Sequence, residues 1–191
     1  MKIAVYSGSF NPLHIGHQAI MEYLTESMGF DMVYLIVSPK NPIKLTVSAE
    51  TGRERYEAAV AAVERHPELK VKVDDIELDM PAPQYTIKTL DALAEREPDN
   101  TFTFVLGADN LADIRRWRDY GRILADYGVV VYPRKGFDMK QIKETLMQEC
   151  IGMQGKQYRI CLMEDAPIVD ISSTELRAAF AAGIDASAYL M

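Results

Sequence analysis

The stretch YSGSFNPLHIGH, residues 6–17, joins the first predicted strand of the chain to its first predicted helix. The apolar run Lys2–Tyr6 before it is typical of a buried strand and stops at a turn of Gly, Ser, Asn and Pro. After the turn, apolar residues recur at helical spacing over Leu13–Met28, and Gly29 marks the end of that helix. A strand that passes through a short turn into a helix predicts the first half of a βαβ unit.

The same alternation of strand and helix continues to the end of the chain. Five further strands are predicted, at Met32–Pro39, Lys70–Leu78, Thr101–Asp109, Gly128–Pro133 and Tyr158–Asp165. The helices between and after them are predicted at Ser48–His66, Tyr85–Glu97, Arg115–Tyr127, Asp138–Cys150 and Ser172–Gly183. This order predicts a single α/β domain over residues 1–191, with a Rossmann-like, doubly wound parallel sheet of about six strands and helices on both faces. In such sheets ligands bind at the carboxyl ends of the strands.

Composition excludes several classes of function. The 191 residues carry a net charge of −7, which argues against general nucleic-acid binding because that requires a basic surface. No apolar run is long enough to span a membrane, and the N-terminal stretch is too short for a signal peptide, so we expect a cytoplasmic protein without a membrane partner. Cys150 and Cys161 lack the spacing of a metal site, so we expect two free, mostly buried thiols.

The first turn has the composition of an anion site. Gly8 lets a ligand approach the backbone closely, and the next helix directs its free N–H groups at the same space. His14 and His17 are three residues apart at the helix start, so both rings are expected on one face. The stretch contains neither a P-loop nor a dinucleotide fingerprint, and the pair lacks a third ligand for zinc. A structural role for a histidine near a helix start remains the alternative.

The last predicted helix begins with a second unusual stretch, DISSTELRAAF. Ser172 and Glu175 have the spacing of a capping box. The consecutive hydroxyls Ser172, Ser173 and Thr174, followed by Arg177, also provide short donors and a guanidinium that suits phosphate. We therefore predict that the N-terminal ends of the first and last helices meet at one polyphosphate site.

The two stretches together carry a family resemblance. GSFNPLHIGH resembles the signature of the nucleotidyltransferases with the His-x-Gly-His motif, and ISSTELR resembles their Ile-Ser-Ser-Thr-x-Ile-Arg motif. The segments Ala82–Leu90 and Phe104–Leu124 resemble the bacterial nicotinate mononucleotide adenylyltransferases within that superfamily. The resemblance covers the chain from Ile3 to about Phe180 and implies ATP and nicotinate mononucleotide as partners. Class I aminoacyl-tRNA synthetases share the first motif but are far longer.

The resemblance implies a division of the site between two ligands. His17 is assigned to the α-phosphate of ATP, and His14 to the flanking phosphates. Arg177, Ser172 and Ser173 are assigned to the β- and γ-phosphates. The remaining ATP-binding residues are expected to be Gly8, Ser9, Phe10, Gly107 and Asp109. Because an unperturbed histidine titrates near pH 6.5, we expect activity that falls on one side of pH 7.

The mononucleotide is expected to use polar and aromatic residues from the middle of the chain. Trp117 is the only tryptophan and lies in a polar, Arg-rich segment, which favours stacking on a pyridine ring, with a packing role as the alternative. A predicted helix start at Trp117 and Arg118 would offer N–H groups and positive charge to a carboxylate. The other residues assigned to the mononucleotide are Asn11, Asn41, Lys44 (with Lys40 as a further candidate), Thr86 and Arg134. Arg53, at the start of a predicted helix, is a weaker candidate.

Several questions remain open at the level of sequence. Ser7 and Asn11 stand where the family frequently has Gly and Asp. Mg²⁺ is expected to arrive on the ATP phosphates, because the chain shows no dedicated carboxylate cage for it. Nicotinamide mononucleotide or phosphopantetheine is the alternative substrate, and a non-catalytic nucleotide-binding regulator is the alternative of a different class. The sequence leaves the oligomeric state open, with a homo-oligomer as one alternative.

Overall fold

A computed structural model describes residues 1–39, 51–151, 157–167 and 171–191. The strands in this part of the chain are β1 (Lys2–Gly8), β2 (Met32–Val37), β3 (Val71–Asp74), β4 (Thr101–Gly107), β5 (Val129–Tyr132) and β6 (Ile160–Leu162). They form one parallel sheet in the order β3-β2-β1-β4-β5-β6. The predicted Rossmann-like, doubly wound sheet is therefore confirmed.

Helices cover both faces of the sheet. They are α1 (Ile15–Glu26), α2 (Gly52–Glu64), α3 (Thr86–Arg96), α4 (Ala108–Ala112), α5 (Tyr120–Arg122), α6 (Met139–Ile151) and α7 (Ser173–Ala181). One core contains apolar side chains of α3, α4 and α6, such as Leu90, Leu111 and Leu146. The core on the opposite face contains side chains of α1 and α2, such as Leu24 and Ala59. No helix in the described part of the chain combines the length and apolarity needed to cross a bilayer.

The order of the strands determines where a ligand can bind. Chain connections leave β1 toward β2 on one side, whereas β4 lies on its other side. A crevice therefore opens beyond the carboxyl ends of β1 and β4, which is the usual ligand position in this architecture. The turn after β1 and the start of α4 after β4 both reach this crevice. The His-x-Gly-His motif therefore lies at the edge of the sheet where a ligand is expected to bind.

The segment Arg115–Tyr127 carries a helix as predicted, but its helical run starts at Tyr120 and not around Trp117 and Arg118. A 3₁₀ turn covers Ile114–Arg116, α5 covers Tyr120–Arg122, and a π-helical turn covers Ile123–Tyr127. The segment breaks because Trp117 is extended (φ −82°, ψ 141°) and Asp119 is left-handed (φ 50°). Trp117 and Arg118 thus lie in a connector, so the expected contribution of helix N–H groups at this point is wrong as well.

Smaller differences concern strand ends and one thiol. β3 ends at Asp74, and not at Leu78, because the Asp74 carboxylate accepts the backbone N–H of Ile76 at 3.1 Å and turns the chain. Cys150 is buried as expected, but Cys161 is exposed. Its exposure follows from its position on β6, which is an edge strand of the sheet and leaves this side chain uncovered.

Candidate active site

The side chains of His14 and His17 both accept backbone N–H groups at the start of the first helix. His14 is the N-cap of α1, with an extended backbone (φ −145°, ψ 168°), so the helix begins two residues later than predicted. Its Nδ1 accepts the N–H of Gly16 at 3.2 Å, and Nδ1 of His17 accepts the backbone N–H of His14 at 3.2 Å. The ring centroids lie 3.7 Å apart, which confirms the prediction of one shared face. Because Nδ1 is an acceptor in both neutral rings, Nε2 carries the hydrogen in both.

Both imidazoles are neutral at pH 7 in this environment. Burial is the main cause and lowers the pKa of His14 to about 4, with the positive charge of Arg134 acting in the same direction. Burial also holds the pKa of His17 well below its usual value, with His14 and then Arg134 adding to the effect. The expectation that these groups titrate near pH 7 is therefore wrong, because it took no account of desolvation. Each ring offers one neutral Nε2–H donor.

The turn before α1 is shaped by Phe10. Its backbone is left-handed (φ 44°), and its buried ring lies edge-on to His17, with ring centroids 5.1 Å apart. A Cβ on Gly8 would meet this ring at 3.1 Å, so the absence of a side chain at Gly8 allows the ring to support His17. The side chain of Phe10 thus acts on the site through packing, and only its backbone is available to a ligand.

The last helix meets this same turn. The predicted capping box is confirmed: Ser172 Oγ accepts the N–H of Glu175 at 3.2 Å, and the Glu175 carboxylate accepts the N–H of Ser172 at 2.8 Å. Ser173 Oγ donates to the carbonyl of Pro12 at 3.0 Å, and Arg177 Nη1 donates to the carbonyl of Asn11 at 2.5 Å. The predicted meeting of the two helix N-termini is therefore confirmed by direct contacts.

A cavity of about 380 Å³ opens at this junction. Its lining includes His14, His17, Ser172, Asp109 and Arg134. Oδ1 of Asp109 is buried and has no hydrogen-bond partner among the described residues, although Arg134 Nε lies 3.7 Å away. An unsatisfied buried acceptor in a cavity wall is suited to a ligand hydroxyl. We call this space the histidine cavity.

The structure explains Gly107 and relocates Arg134, both of which lie beside Asp109. Gly107 is required beside Asp109, because a Cβ there would lie 2.3 Å from Asp109 Oδ1. Arg134 was assigned to the mononucleotide side but lies in the histidine cavity with Asp109. Its Nη2 donates to the hydroxyl of Tyr132 at 3.3 Å, and this contact turns the side chain toward the histidines. Its positive charge therefore lies at the histidine cavity.

A second cavity of about 260 Å³ lies on the other side of β1, and we call it the Trp117 cavity. Its lining includes Gly8, Ser9, Thr86, Trp117 and Arg118. Gly8 and Ser9 were assigned to ATP but line this cavity and not the histidine cavity, because they follow the end of β1 on the side of Trp117. The Trp117 ring packs edge-on against Phe104 of the core, with ring centroids 5.9 Å apart. Arg118 stacks over the ring of Tyr85 at 5.1 Å. Trp117 thus packs on the core and also faces a cavity, so both of its predicted roles are compatible with its position.

The remaining predicted residues either line neither cavity or lie outside the described part of the chain. Asn11 lines neither cavity, and its carbonyl is held by Arg177. Lys40, Asn41 and Lys44 lie outside the described residues. Arg53 forms an exposed ion pair with Asp75 at 3.1 Å, away from both cavities.

Sequence reasoning missed two buried charged residues beside the site. Arg55 of α2 donates to the carbonyl of Ser9 at 2.7 Å and to that of Pro39 at 2.9 Å, so it joins the turns after β1 and β2. A signal was present, because Arg55 shares the buried stripe of α2 with Ala59 and Ala62. Glu77 lies in the wall of the Trp117 cavity and follows the end of β3. Its segment was predicted as strand, which hid its position.

Comparisons with known proteins agree with this arrangement. The sequence profile of the cytidylyltransferase-like family matches residues 5–179. The chain is 34% identical to a "Probable nicotinate-nucleotide adenylyltransferase" of Flavobacterium johnsoniae, over 93% of this chain and 85% of that protein. It is 36% identical to a protein of the same description from Bacteroides fragilis, over 99% of this chain and 87% of that one. The fold is similar to Plasmodium falciparum nicotinic acid mononucleotide adenylyltransferase complexed with NaAD, with a TM-score of 0.77 at 18% identity over 97% of this chain and 87% of that one.

Proposed function

The chain belongs to the cytidylyltransferase-like family, and we propose that it is a nicotinate-nucleotide adenylyltransferase. It transfers AMP from ATP to nicotinate mononucleotide, giving deamido-NAD and pyrophosphate in NAD biosynthesis. The observation that carries the proposal is the contact of α7 with the turn before α1, which places two helix N-termini and two Nε2–H donors at one cavity. The similarity to relatives described by this activity supports the choice of substrate.

The reaction needs no covalent intermediate with the protein. A phosphate oxygen of the mononucleotide forms a bond with the α-phosphorus of ATP, and the bond from that phosphorus to the bridging oxygen breaks. Pyrophosphate leaves with the electron pair. Because the attacking phosphate is already an anion, the protein contributes positioning and neutralisation of developing charge. The two neighbouring cavities suit this division, with ATP in the histidine cavity and the mononucleotide in the Trp117 cavity.

The histidine cavity supplies neutral and charged donors to the phosphates. His17 and His14 donate through Nε2–H to the α-phosphate and its neighbours. Arg177 does not itself line the histidine cavity but lies next to it, where it donates to Asn11 and Thr174. A guanidinium has five N–H groups, so three of them remain, and we propose that these hold the β- and γ-phosphates. The buried Oδ1 of Asp109 accepts a ribose hydroxyl of ATP, which supplies the hydrogen-bond partner that it lacks.

Mg²⁺ is proposed to accompany ATP. Among the described residues no group of three His, Cys, Asp or Glu side chains is placed to hold a metal ion, so the phosphate oxygens and water would be its ligands. When bound, the ion neutralises phosphate charge. The protein residues facing those phosphates would be Ser172 and Arg177, whose role is to orient the triphosphate.

The Trp117 cavity favours an acidic pyridine substrate. The hydroxyl of Thr86 and the guanidinium of Arg118 are donors in its wall, and a carboxylate accepts from both. The test is pyrophosphate release from ATP with nicotinate mononucleotide, nicotinamide mononucleotide or phosphopantetheine. We expect the highest kcat/KM with nicotinate mononucleotide. A higher value with either rival would change the substrate, and ATP binding without pyrophosphate release from any of them would indicate a non-catalytic regulator.

A further inference from the structure

Glu77 is a buried carboxylate that the proposed mechanism does not use. Its side chain accepts hydrogen bonds from the hydroxyls of Ser38 at 2.6 Å and Thr89 at 2.9 Å. Within the described part of the chain, no lysine, arginine or histidine forms an ion pair with it. Burying a carboxylate without a cation is costly, and a neutral side chain of the same size would pack there at lower cost. A role at the neighbouring cavity accounts for its presence.

The hydroxyls around Glu77 have a defined hydrogen-bond direction. Each hydroxyl has one hydrogen, and Ser38 gives its hydrogen to Glu77 Oε2. The 3.0 Å contact between the hydroxyls of Ser7 and Ser38 is therefore made by the hydrogen of Ser7. Glu77 Oε1, the other acceptor near Ser7 Oγ at 3.5 Å, belongs to the same cluster. Ser7 is thus left with lone pairs, and no hydrogen, for a ligand.

Ser7, Ser38 and Glu77 together present hydrogen-bond acceptors to the cavity, and we call them the acceptor wall. The acceptor wall favours some groups of the substrate over others. These three residues line the Trp117 cavity and offer acceptors to it, whereas Thr86 and Arg118 in the same lining offer donors. In nicotinate mononucleotide the carboxylate and the phosphate only accept hydrogen bonds, and the two ribose hydroxyls are its only O–H donors. An acceptor wall that adjoins a carboxylate therefore matches the ribose and repels both anionic groups.

We propose that Ser7, oriented by Ser38 and Glu77, accepts a hydrogen bond from a ribose hydroxyl of the mononucleotide. Glu77 is a positioning residue in this scheme, because it fixes the direction of the hydroxyls and keeps the substrate carboxylate on the side of Thr86. The inference rests on the proposed function and adds a specificity element to the mononucleotide side of the site. It also gives a physical role to Ser7, which stands where related sequences frequently have Gly.

The first experiment measures kcat/KM for Ser7→Ala with nicotinate mononucleotide and with its 2′-deoxy and 3′-deoxy analogues. Loss of one hydrogen bond predicts a decrease of roughly fivefold to tenfold with the complete ribose. The analogue that lacks the recognised hydroxyl should show no further decrease in the variant. KM for ATP should stay within about twofold, because a single substitution in the Trp117 cavity leaves the histidine cavity intact. Ser27→Ala, at an exposed serine after α1, is the matched control.

A second variant tests the orienting carboxylate. Glu77→Gln replaces one carboxylate oxygen by an amide nitrogen. With this nitrogen in the place of Oε2 the amide donates to Ser38, which reverses the Ser38 hydroxyl and gives Ser7 a hydrogen that faces the ligand. We expect a decrease in kcat/KM similar to that of Ser7→Ala, and a Ser7→Ala/Glu77→Gln double variant no worse than either single variant. Glu95→Gln, at an exposed position of α3, is the control. Should Glu77→Gln fail to fold, the Ser7 series decides alone.

Two outcomes overturn the proposal. An unchanged kcat/KM in Ser7→Ala, or an equal decrease with all three mononucleotides, shows that Ser7 does not contact the ribose. When nicotinamide mononucleotide is measured in parallel, a change confined to the ratio of acid to amide mononucleotide assigns the wall to the pyridine substituent instead. Failure of the unsubstituted protein to use nicotinate mononucleotide is a separate result, which refutes the proposed function before any variant is compared.

Discussion

At the scale of single residues, the histidine pair combines two tasks that are usually separate. The Nδ1 atoms replace the Ser and Glu oxygens of an ordinary capping box, while the Nε2–H groups remain available to a ligand. The cap therefore fixes the ring orientation and the tautomer before any substrate arrives. Such fixed donors need no reorganisation when charge develops on a phosphate.

The two functions of His17 can be separated by substitution. His17→Asn keeps an acceptor near the position of Nδ1 but removes the Nε2–H donor, so we expect kcat to fall by about 10²–10³-fold while the helix stays capped. His17→Gln places an amide N–H near the position of Nε2 and should recover part of this loss. Steady-state kinetics with circular dichroism measures both effects, and His66→Asn is the control. Near-normal kcat in His17→Asn would remove His17 from catalysis.

The low pKa of His14 makes the folded protein sensitive to acid. In the unfolded chain this histidine has a pKa near 6.5, and in the folded protein it is about 4. As pH falls from 6.5 to 4 the unfolded state gains a proton that the folded state cannot hold, so the free energy of unfolding falls by up to about 3 kcal/mol. Above pH 6.5 the contribution is constant. Urea unfolding of the protein and of His14→Asn should show a shallower slope for the variant in this window; parallel curves would contradict the assignment.

Trp117 offers a test of its two roles. If its ring stacks on the pyridine, Trp117→Ala should raise KM for the mononucleotide by roughly tenfold, because loss of an aromatic pair removes about 1 kcal/mol in addition to buried area. KM for ATP should change less than twofold, since ATP is assigned to the histidine cavity. Trp117→Phe is the conservative control. Equal changes in both KM values would leave Trp117 with packing alone.

At the scale of elements, α7 depends on tertiary contacts to remain folded and docked on the rest of the molecule. It has nine residues, and a helix of this length is marginal on its own. Leu176 is its buried side chain, and Ser173 and Arg177 provide its hydrogen bonds to the turn before α1. The position of the second helix N-terminus at the histidine cavity therefore rests on a small number of contacts.

Removal of the buried contact should release α7 selectively. We expect Leu176→Ala to cost roughly 2–5 kcal/mol of docking free energy and to weaken ATP binding at least tenfold, with the parallel sheet intact. Hydrogen exchange should show faster exchange at α7 amides than in the protein without substitutions, and unchanged exchange in β1 and β4. Phe180→Ala, on the exposed side of the same helix, is the matched control. Uniform loss of protection throughout the sheet would show that α7 unfolds only with the whole domain.

At the scale of the whole molecule, the fold could be read from the alternation of strand and helix, because parallel strands buried on both faces leave continuous apolar runs such as residues 32–37. The conformation of the segment around Trp117 could not be read from the sequence, because its break depends on the left-handed backbone of Asp119. An aspartate marks a left-handed position less clearly than a glycine does. The meeting of α1 and α7 was predicted from two motifs. The capping role of the histidines is local, but imidazoles replace the usual Ser and Glu of a capping box, so the sequence pattern did not reveal it. The contacts of Arg55 and the acceptor wall around Glu77 were not predicted because they depend on which strand ends become neighbours in the sheet.

The contact of α7 with the turn before α1 joins residues that are far apart along the chain. Arg177 and Asn11 are separated by 166 positions, and Ser173 and Pro12 by 161. A ribosome that adds about 5–20 residues per second needs roughly ten to thirty seconds between these two parts. During that time the nascent sheet must assemble without the stabilisation that a bound nucleotide gives a finished protein. A bound nucleotide can therefore protect this polypeptide against proteolysis only after residues 172–177 have left the ribosomal exit tunnel.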